Sequence, residues 1–92
     1  MSIYIVAIKW NTERVEETTT LESLLDANFK WVKLTEDLYL IVSSNSPIEI
    51  RNFITSKLAN LSRIFIGEMK ESAAWRNMLA DNDKIKQIFS NE

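Results

Sequence analysis

The sequence contains no cysteine and no histidine. These absences exclude disulfides, thiolate nucleophiles, imidazole bases and zinc sites built from Cys or His ligands. An enzyme of this composition would depend on carboxylates, lysines, tyrosines or hydroxyls, with hard metal ions as partners of the carboxylates. We expect no bound cofactor.

Long apolar runs are also missing. No stretch approaches the roughly 18 apolar residues that a membrane-spanning helix needs. The first residues likewise lack a basic region followed by an apolar run and a small-residue cleavage site. The sequence therefore predicts a soluble, cytoplasmic protein without a membrane partner.

Neither sign of charge dominates. The 92 residues include 11 basic and 13 acidic ones, which gives a net charge of -2. Such a balance lacks the basic field of a typical nucleic-acid-binding protein, although a local patch can oppose the net charge. The hydrophobic content of 46% is that of one globular domain. A chain this short buries a modest core, so dimerisation would help to stabilise it.

The first half of the chain predicts a strand, a helix and a hairpin. Ser2–Ile8 is rich in β-branched residues, as a central strand is. The polar run 11–20 lacks a period and predicts a loop. A capping box at Thr19–Glu22 then predicts a short helix that ends near Asn28. The two apolar runs 29–34 and 38–42, separated by polar residues, predict a β-hairpin.

The second half begins with a strong helix signal. Ser46-Pro47-Ile48-Glu49 combines an N-cap serine, a proline at the first helical position and a glutamate three residues after the cap. The apolar stripe predicted for this helix comprises Ile50, Phe53, Ile54, Leu58 and Leu61. A fourth strand is predicted at 63–69, and it contains Gly67, the only glycine.

Two further helices are predicted after the fourth strand. Ser72 is placed to cap a helix that contains Trp75, Met78 and Leu79. Asp81 or Asp83 is placed to cap a last helix, whose apolar side comprises Ile85, Ile88 and Phe89. These two helices form a C-terminal extension.

The predicted order is β-α-β-β-α-β followed by a helical tail. The first six elements match the ferredoxin-like α+β arrangement, in which two helices cover one face of a four-stranded antiparallel sheet. We therefore predict one domain, with a core at 1–69 and a helical extension at 70–92. The other face of the sheet needs a cover, which the tail or a second subunit could provide.

Several segments resemble the SinR family, small ferredoxin-like proteins related to CRISPR-associated protein 2 and, more distantly, to VapD toxins. The matching segments are Tyr4-Ile5-Val6, the hairpin Trp31–Val42 with "LYLIVSS", the helix start "SPIEIR", and "IFIGEM" followed by Ala73-Ala74-Trp75. Together they cover most of the chain except 11–18. The resemblance implies a homodimer formed by packed sheets, with the segment after the last strand adding to the partner.

The resemblance implies less about activity. Related proteins include metal-dependent nucleases and non-catalytic scaffolds, and the nucleases resembling CRISPR-associated protein 2 hold a divalent metal with an aspartate at the end of the first strand. Lys9 stands at that position here. A lysine ammonium repels the ion that an aspartate would attract, so we favour a protein without catalytic activity.

Other acidic residues are candidates for metal ligands or charge partners. Glu13, Glu16 and Glu17 are interpreted as a solvated loop and Glu36-Asp37 as a hairpin turn. Glu68 and Glu71, which flank Lys70, are interpreted as surface charges that could pair with a partner subunit. We predict no catalytic or metal-binding residue, with a metal-dependent nuclease kept as an alternative.

Aromatic side chains on the predicted strands suggest two uses. Tyr4, Phe29, Trp31, Tyr39 and Phe65 could stack single-stranded nucleic-acid bases, as in an RNA recognition motif, or pack in a core or dimer interface. The strands supply few basic residues, so packing is favoured and nucleic-acid binding remains an alternative. Trp10 could pack beneath the following loop or face a partner. Trp75 could cover the sheet or anchor another chain.

The resulting hypothesis is a homodimeric, non-catalytic module that binds another macromolecule, most plausibly a protein. The resemblance suggests a regulator or inhibitor in bacterial or phage defence or counter-defence. The candidate interface residues are Lys9, Trp10, Trp31, Tyr39, Phe65, Trp75 and Met78.

Overall fold

The computed structural model describes residues 1–10, 15–58, 61–70 and 73–90. The order of its first six elements is the predicted β-α-β-β-α-β, and a helix follows them. The elements are β1 (Ser2–Trp10), α1 (Val15–Asn28), β2 (Lys30–Thr35), β3 (Leu38–Ser43), α2 (Pro47–Lys57), β4 (Leu61–Met69) and α3 (Asn82–Ser90). The prediction of an α+β, ferredoxin-like fold with a C-terminal helix is confirmed.

The four strands form one antiparallel sheet in the order β2-β3-β1-β4. In the two centre strands, Ile5 of β1 lies opposite Leu40 of β3, and on its other side it lies opposite Gly67 of β4. The outer strands of the sheet are therefore β2 and β4. Because alternate side chains of a strand point to opposite faces, this register decides which residues share a face.

One face, here called the helix face, packs against α1 and α2. Its buried residues are Tyr4, Val6, Ile8, Leu21, Leu25, Tyr39, Ile41, Ile50, Ile54 and Leu58. The Tyr4 hydroxyl donates a hydrogen bond of 2.9 Å to the carbonyl oxygen of Asn45, just before α2. Burial of these apolar side chains is the main force that holds both helices on the sheet.

The start of α1 corrects the sequence prediction. The helix begins at Val15, so most of the run predicted to be a loop at 11–20 is helical where the structure describes it. Glu22 does not cap the helix, because its carboxylate lies 2.8 Å from Lys33 Nζ and 3.1 Å from the Tyr39 hydroxyl. Fully buried Leu21 and Leu25 fix α1 on the sheet, and this tertiary contact supports the polar first turns.

The predicted start of α2 is confirmed. The Ser46 hydroxyl accepts a hydrogen bond from the Glu49 amide, and the Glu49 carboxylate accepts one from the Ser46 amide. The bond that the Ser46 amide donates to the Glu49 carboxylate is the largest cause that lowers the pKa of Glu49, and the Ser46 side chain lowers it further. Of the predicted apolar stripe, Ile50 and Ile54 are buried in the helix, whereas Leu61 belongs to β4 because the helix ends at Lys57.

The predicted helix around Trp75 is wrong. Residues 73–81 form no helix, and α3 begins at Asn82. The backbone amides of Leu79 and Ala80 instead donate hydrogen bonds to the carbonyl oxygens of Leu34 and Lys33 in β2, at 3.0 and 3.1 Å. In this segment, hydrogen bonds to the edge of β2 thus take the place of hydrogen bonds within a helix.

The second face, here called the tail face, is covered by residues 73–90 of the same chain. Its buried residues are Ile3, Val32, Leu40 and Val42 from the sheet with Ile85 and Ile88 from α3. The rings of Trp75 and Phe89 stack at a centroid distance of 5.9 Å, and the Trp75 indole nitrogen donates to Asn82 Oδ1 at 3.0 Å. The tail therefore provides the cover that this face needed.

Among the helices of the described residues, none combines the length and the apolar character of a membrane-spanning segment.

Candidate interaction surface

The outer edge of β4 differs from the outer edge of β2. At β2, the amides of Leu79 and Ala80 bond to two strand carbonyls, so the tail closes part of that edge. β4 runs for nine residues and pairs with β1 on one side, and no strand of the described residues pairs with its other side. An uncovered strand edge presents backbone donors and acceptors to which another chain can add. We call this outer side of Leu61–Met69 the β4 edge.

Apolar side chains flank the β4 edge. Phe65 is 64% exposed and Ile48, in the first turn of α2, is 61% exposed. A shallow groove of about 250 Å³ lies between the start of α2 and β4. Its lining residues are Pro47, Ile48, Arg51, Ile64, Phe65 and Ile66. The edge thus combines free backbone groups with an apolar border, as protein-binding surfaces do.

A larger groove, of about 630 Å³, follows the β2 edge between α1 and α3. Its lining includes carboxylates of Asp26 and Asp81 together with the cations Lys30, Lys33 and Lys84. Charges of both signs alternate along it, and the tail already occupies one end of the strand edge. This groove is therefore a weaker candidate than the β4 edge.

The described residues leave one corner of the tail face uncovered. It consists of Ala7, Lys9, Arg63 and Phe65, and we call it the open corner. Lys9 lies directly opposite Arg63, and Ala7 lies directly opposite Phe65. Both basic residues are exposed. The ring of Phe65 lies over Gly67, since a Cβ atom at Gly67 would be only 2.7 Å from Phe65 Cε1.

Among the predicted interface residues, Tyr39 and Trp31 lie on the helix face. Tyr39 is fully buried, and Trp31 is half-buried with its indole nitrogen donating to Asp26 Oδ1 at 3.2 Å. Burial is the largest cause that raises the pKa of Tyr39 well above its ordinary value, and the carboxylate of Glu22 raises it further. The buried Tyr39 ring offers no surface to a partner.

Trp10, Trp75 and Met78 are half-buried by their own chain. Trp10 packs against the core of the helix face, after a register shift in the pairing of β1 with β4. Trp75 and Met78 pack against the core of the tail face. Both tryptophans thus have an internal packing role. Of the seven predicted residues, only Lys9 and Phe65 are exposed on the sheet.

The acidic candidates that the structure describes lie in two separate places. Glu36 and Asp37 form the turn between β2 and β3, as the sequence indicated. Glu68 lies 3.9 Å from Lys70 and on the opposite face from the open corner, because it pairs with Tyr4. Glu13, Glu71 and the side chains of Glu16 and Glu17 lie outside the described part. Within that part, no group of three acidic residues is arranged to hold a metal ion.

Sequence reasoning missed two residues of this surface as interface candidates. Ile48 was assigned only to a capping signal, although an apolar residue in the first turn beside a proline was visible in "SPIE". Arg63 was counted among the few basic residues of the strands but not as an interface residue. The alternation of Arg63, Phe65 and Gly67 along β4 was a usable signal that these three share one face.

Comparison of the chain with protein-family models, with curated proteins and with solved structures gave no significant match.

Proposed function

We propose that this protein is a non-catalytic interaction module that works as a homodimer, and that the β4 edge forms the contact between its two copies. The observation that supports this proposal is the nine-residue edge strand, which exposed Ile48 borders on the side of α2. Natural sheets usually protect such an edge with charge, proline or a covering segment. The central residues 64–67 carry no charge and no proline.

A second copy of the chain fits this edge by symmetry. Two β4 strands that pair antiparallel about a two-fold axis present the same surface to each other and satisfy their free backbone groups together. The groove beside the edge gives each copy an apolar border on which the partner can pack. Backbone bonds would provide the register and the apolar residues most of the binding energy.

The size of the molecule also supports self-association. The described residues expose 5994 Å². A stable interface covers about 800 Å² of each partner, which is a modest fraction of that surface. β4 runs along one whole side of the sheet, with the apolar groove beside it.

The resemblance to the SinR family supports a homodimer but assigns no pathway. On this resemblance we propose that the dimer binds a further protein in the bacterial cytoplasm, as a regulator or inhibitor in defence or counter-defence. In our proposal, the position of Lys9 at the end of β1 favours binding over metal-dependent cleavage, because its ammonium group repels a divalent cation.

The dimer is tested by light scattering coupled to size-exclusion chromatography at micromolar concentration. We expect a mass of two chains for the unaltered protein, and a monomer for Ile48→Lys because a lysine in the border would have to be desolvated. Leu79→Lys is a matched control, since Leu79 is also an exposed apolar residue, at 57%, but lies at the other edge. A monomeric unaltered protein, or equal effects of the two substitutions, would contradict the proposal.

A further inference from the structure

The open corner carries charge of one sign only. Eight residues of β1 and β4 belong to the tail face by their alternation: Ile3, Ile5, Ala7, Lys9, Arg63, Phe65, Gly67 and Met69. Of these eight, only Lys9 and Arg63 are charged, and both are cations. The tail packs against Ile3, Ile5 and Met69, so within the part of the chain that the structure describes the cationic end of the face stays uncovered.

The two cations lie directly opposite each other on neighbouring strands. Like charges in directly opposite positions destabilise a sheet. Within the described residues, neither Lys9 nor Arg63 makes an ion pair. Among the described residues, the acidic Glu36-Asp37 turn is joined to the end of β1, where the Asp37 carbonyl oxygen accepts a hydrogen bond of 3.0 Å from the Ile8 amide. A bound anion would relieve the repulsion between the two cations.

Phe65 adds an aromatic ring beside these cations. It is two residues from Arg63 on the same face of β4, and it is 64% exposed. Gly67 lacks a side chain, which allows the ring to lie against the strand while remaining open to solvent. An exposed ring next to cations is the arrangement that binds an unpaired base together with its phosphates.

We propose that the open corner binds single-stranded nucleic acid, with a base stacked on Phe65 and the neighbouring phosphates paired with Lys9 and Arg63. A duplex fits less well because its bases are stacked on one another and cannot cover the ring. An acidic protein segment would satisfy the cations but has no need of the ring. The net charge of -2 gives the whole molecule little attraction for a polyanion, so binding depends on this local group.

This site is compatible with the proposed dimer but does not depend on it. Strand addition at the β4 edge uses backbone groups in the plane of the sheet, whereas Lys9, Arg63 and Phe65 belong to the tail face. The tail limits the site to a few nucleotides, because it covers the rest of the same face. We therefore expect weak binding that falls as salt is added, with a log-log slope of about -1.4 for two neutralised phosphates.

The test is fluorescence anisotropy with labelled oligouridine and oligothymidine at low salt. Phe65→Leu retains an apolar side chain but removes the stacking ring, and we expect it to weaken binding by roughly ten-fold or more. Lys9→Gln and Arg63→Gln should weaken binding and flatten its salt dependence, by about 0.7 in the log-log slope for each phosphate that is no longer neutralised. Lys57→Gln, an exposed cation of α2, is the matched control and should change little.

Several outcomes would overturn this proposal. One is the absence of binding at low salt, and another is binding that Phe65→Leu leaves unchanged. Equal affinity for a duplex or for polyglutamate would show that the corner is a general cationic surface. Ile48→Lys separates this proposal from that of the dimer, because it should disrupt the dimer while each open corner still binds the oligonucleotide.

Discussion

The two faces of the sheet are covered in different ways. Two helices that belong to the repeated strand-helix pattern cover the helix face, and buried Tyr39 is hydrogen-bonded there to Glu22 of α1. One nine-residue helix and the irregular residues before it cover the tail face. α1 and α2 cover most of the helix face, whereas the tail face leaves Lys9, Arg63 and Phe65 exposed.

Because of this difference, we assign the main contribution to stability to the helix face and the proposed binding surface to the tail face. Connections that enter and leave the strands hold α1 and α2, so neither helix can leave without disrupting the fold. The tail covers its face with one nine-residue helix, and its contacts centre on Ile85, Ile88, Trp75 and Phe89. A cover held by so few buried side chains can open locally at a lower free energy than global unfolding. The proposed binding surface therefore lies on the less completely covered side.

The largest expected loss of stability comes from substituting a buried isoleucine, and one such residue is compared on each face of the sheet. Ile54→Ala should lower the free energy of unfolding by about 2–5 kcal/mol, because it leaves a cavity under α2. Ile85→Ala removes an equally buried side chain, but its effect should be limited to the free energy of undocking the tail. Urea unfolding measures the first quantity and hydrogen exchange of α3 amides the second.

The corresponding Ile→Val variants are controls for this pair, with an expected cost of about 0.5–1.5 kcal/mol for Ile54→Val. Equal losses for Ile54→Ala and Ile85→Ala would contradict the comparison. So would α3 amides that exchange only through global unfolding, since the tail would then be as firmly fixed as the helices.

A smaller effect is expected for Tyr39→Phe. Loss of the hydroxyl removes its hydrogen bond to Glu22 and should cost about 1 kcal/mol at neutral pH. Burial, and secondarily Glu22, raises the pKa of Tyr39 in the folded state above the ordinary value of 10.0. The folded state thus holds this proton more strongly, so the contribution is complete below pH 10.0 and is lost as the pH rises towards the raised pKa.

Urea unfolding across the alkaline range checks the pH dependence. Lysines titrate there too, so the quantity to follow is the difference between the unaltered protein and Tyr39→Phe. That difference should shrink as the pH rises above 10.0. A constant difference would mean that Tyr39 does not ionise differently in the folded and unfolded states.

The smallest change in stability is expected for Gly67→Ala. The new methyl group would lie 2.7 Å from the Phe65 ring, but the ring is exposed and can turn away. We expect the free energy of unfolding to change by less than about 1 kcal/mol. Oligonucleotide binding should nevertheless weaken, since the ring leaves its position on the strand. In a Phe65→Leu background the same substitution should have no further effect on binding, and a further loss would contradict the proposed contact.

Local signals predicted part of the fold. The start of α2 followed from the capping box of Ser46 and Glu49, and the hairpin turn followed from the polar pair Glu36-Asp37. Each of these signals acts within four residues, so it operates whatever the rest of the chain does. The early start of α1 could not be predicted in this way, because the polar turns depend on distant packing of Leu21 and Leu25.

The candidate site was predicted less completely. Lys9 and Phe65 were identified as contact residues, but Ile48 and Arg63 were not. Trp75 could be assigned to a cover or to an anchor with equal reason, and its contact with Phe89 decides for the cover. The non-helical conformation of 73–81 depends on hydrogen bonds to β2, which is about 45 residues earlier in the chain. No local pattern indicates a bond of that separation.

The sequence by itself determined the order of the first six elements, the hairpin and the capped start of α2, because these depend on periodicity and on contacts between near neighbours. Only the tertiary structure decided which aromatic side chains are buried, that the tail covers part of the second face, and that Lys9 and Arg63 meet beside Phe65. Alternation along a strand shows which residues share a face, but the covering of that face depends on packing between distant segments.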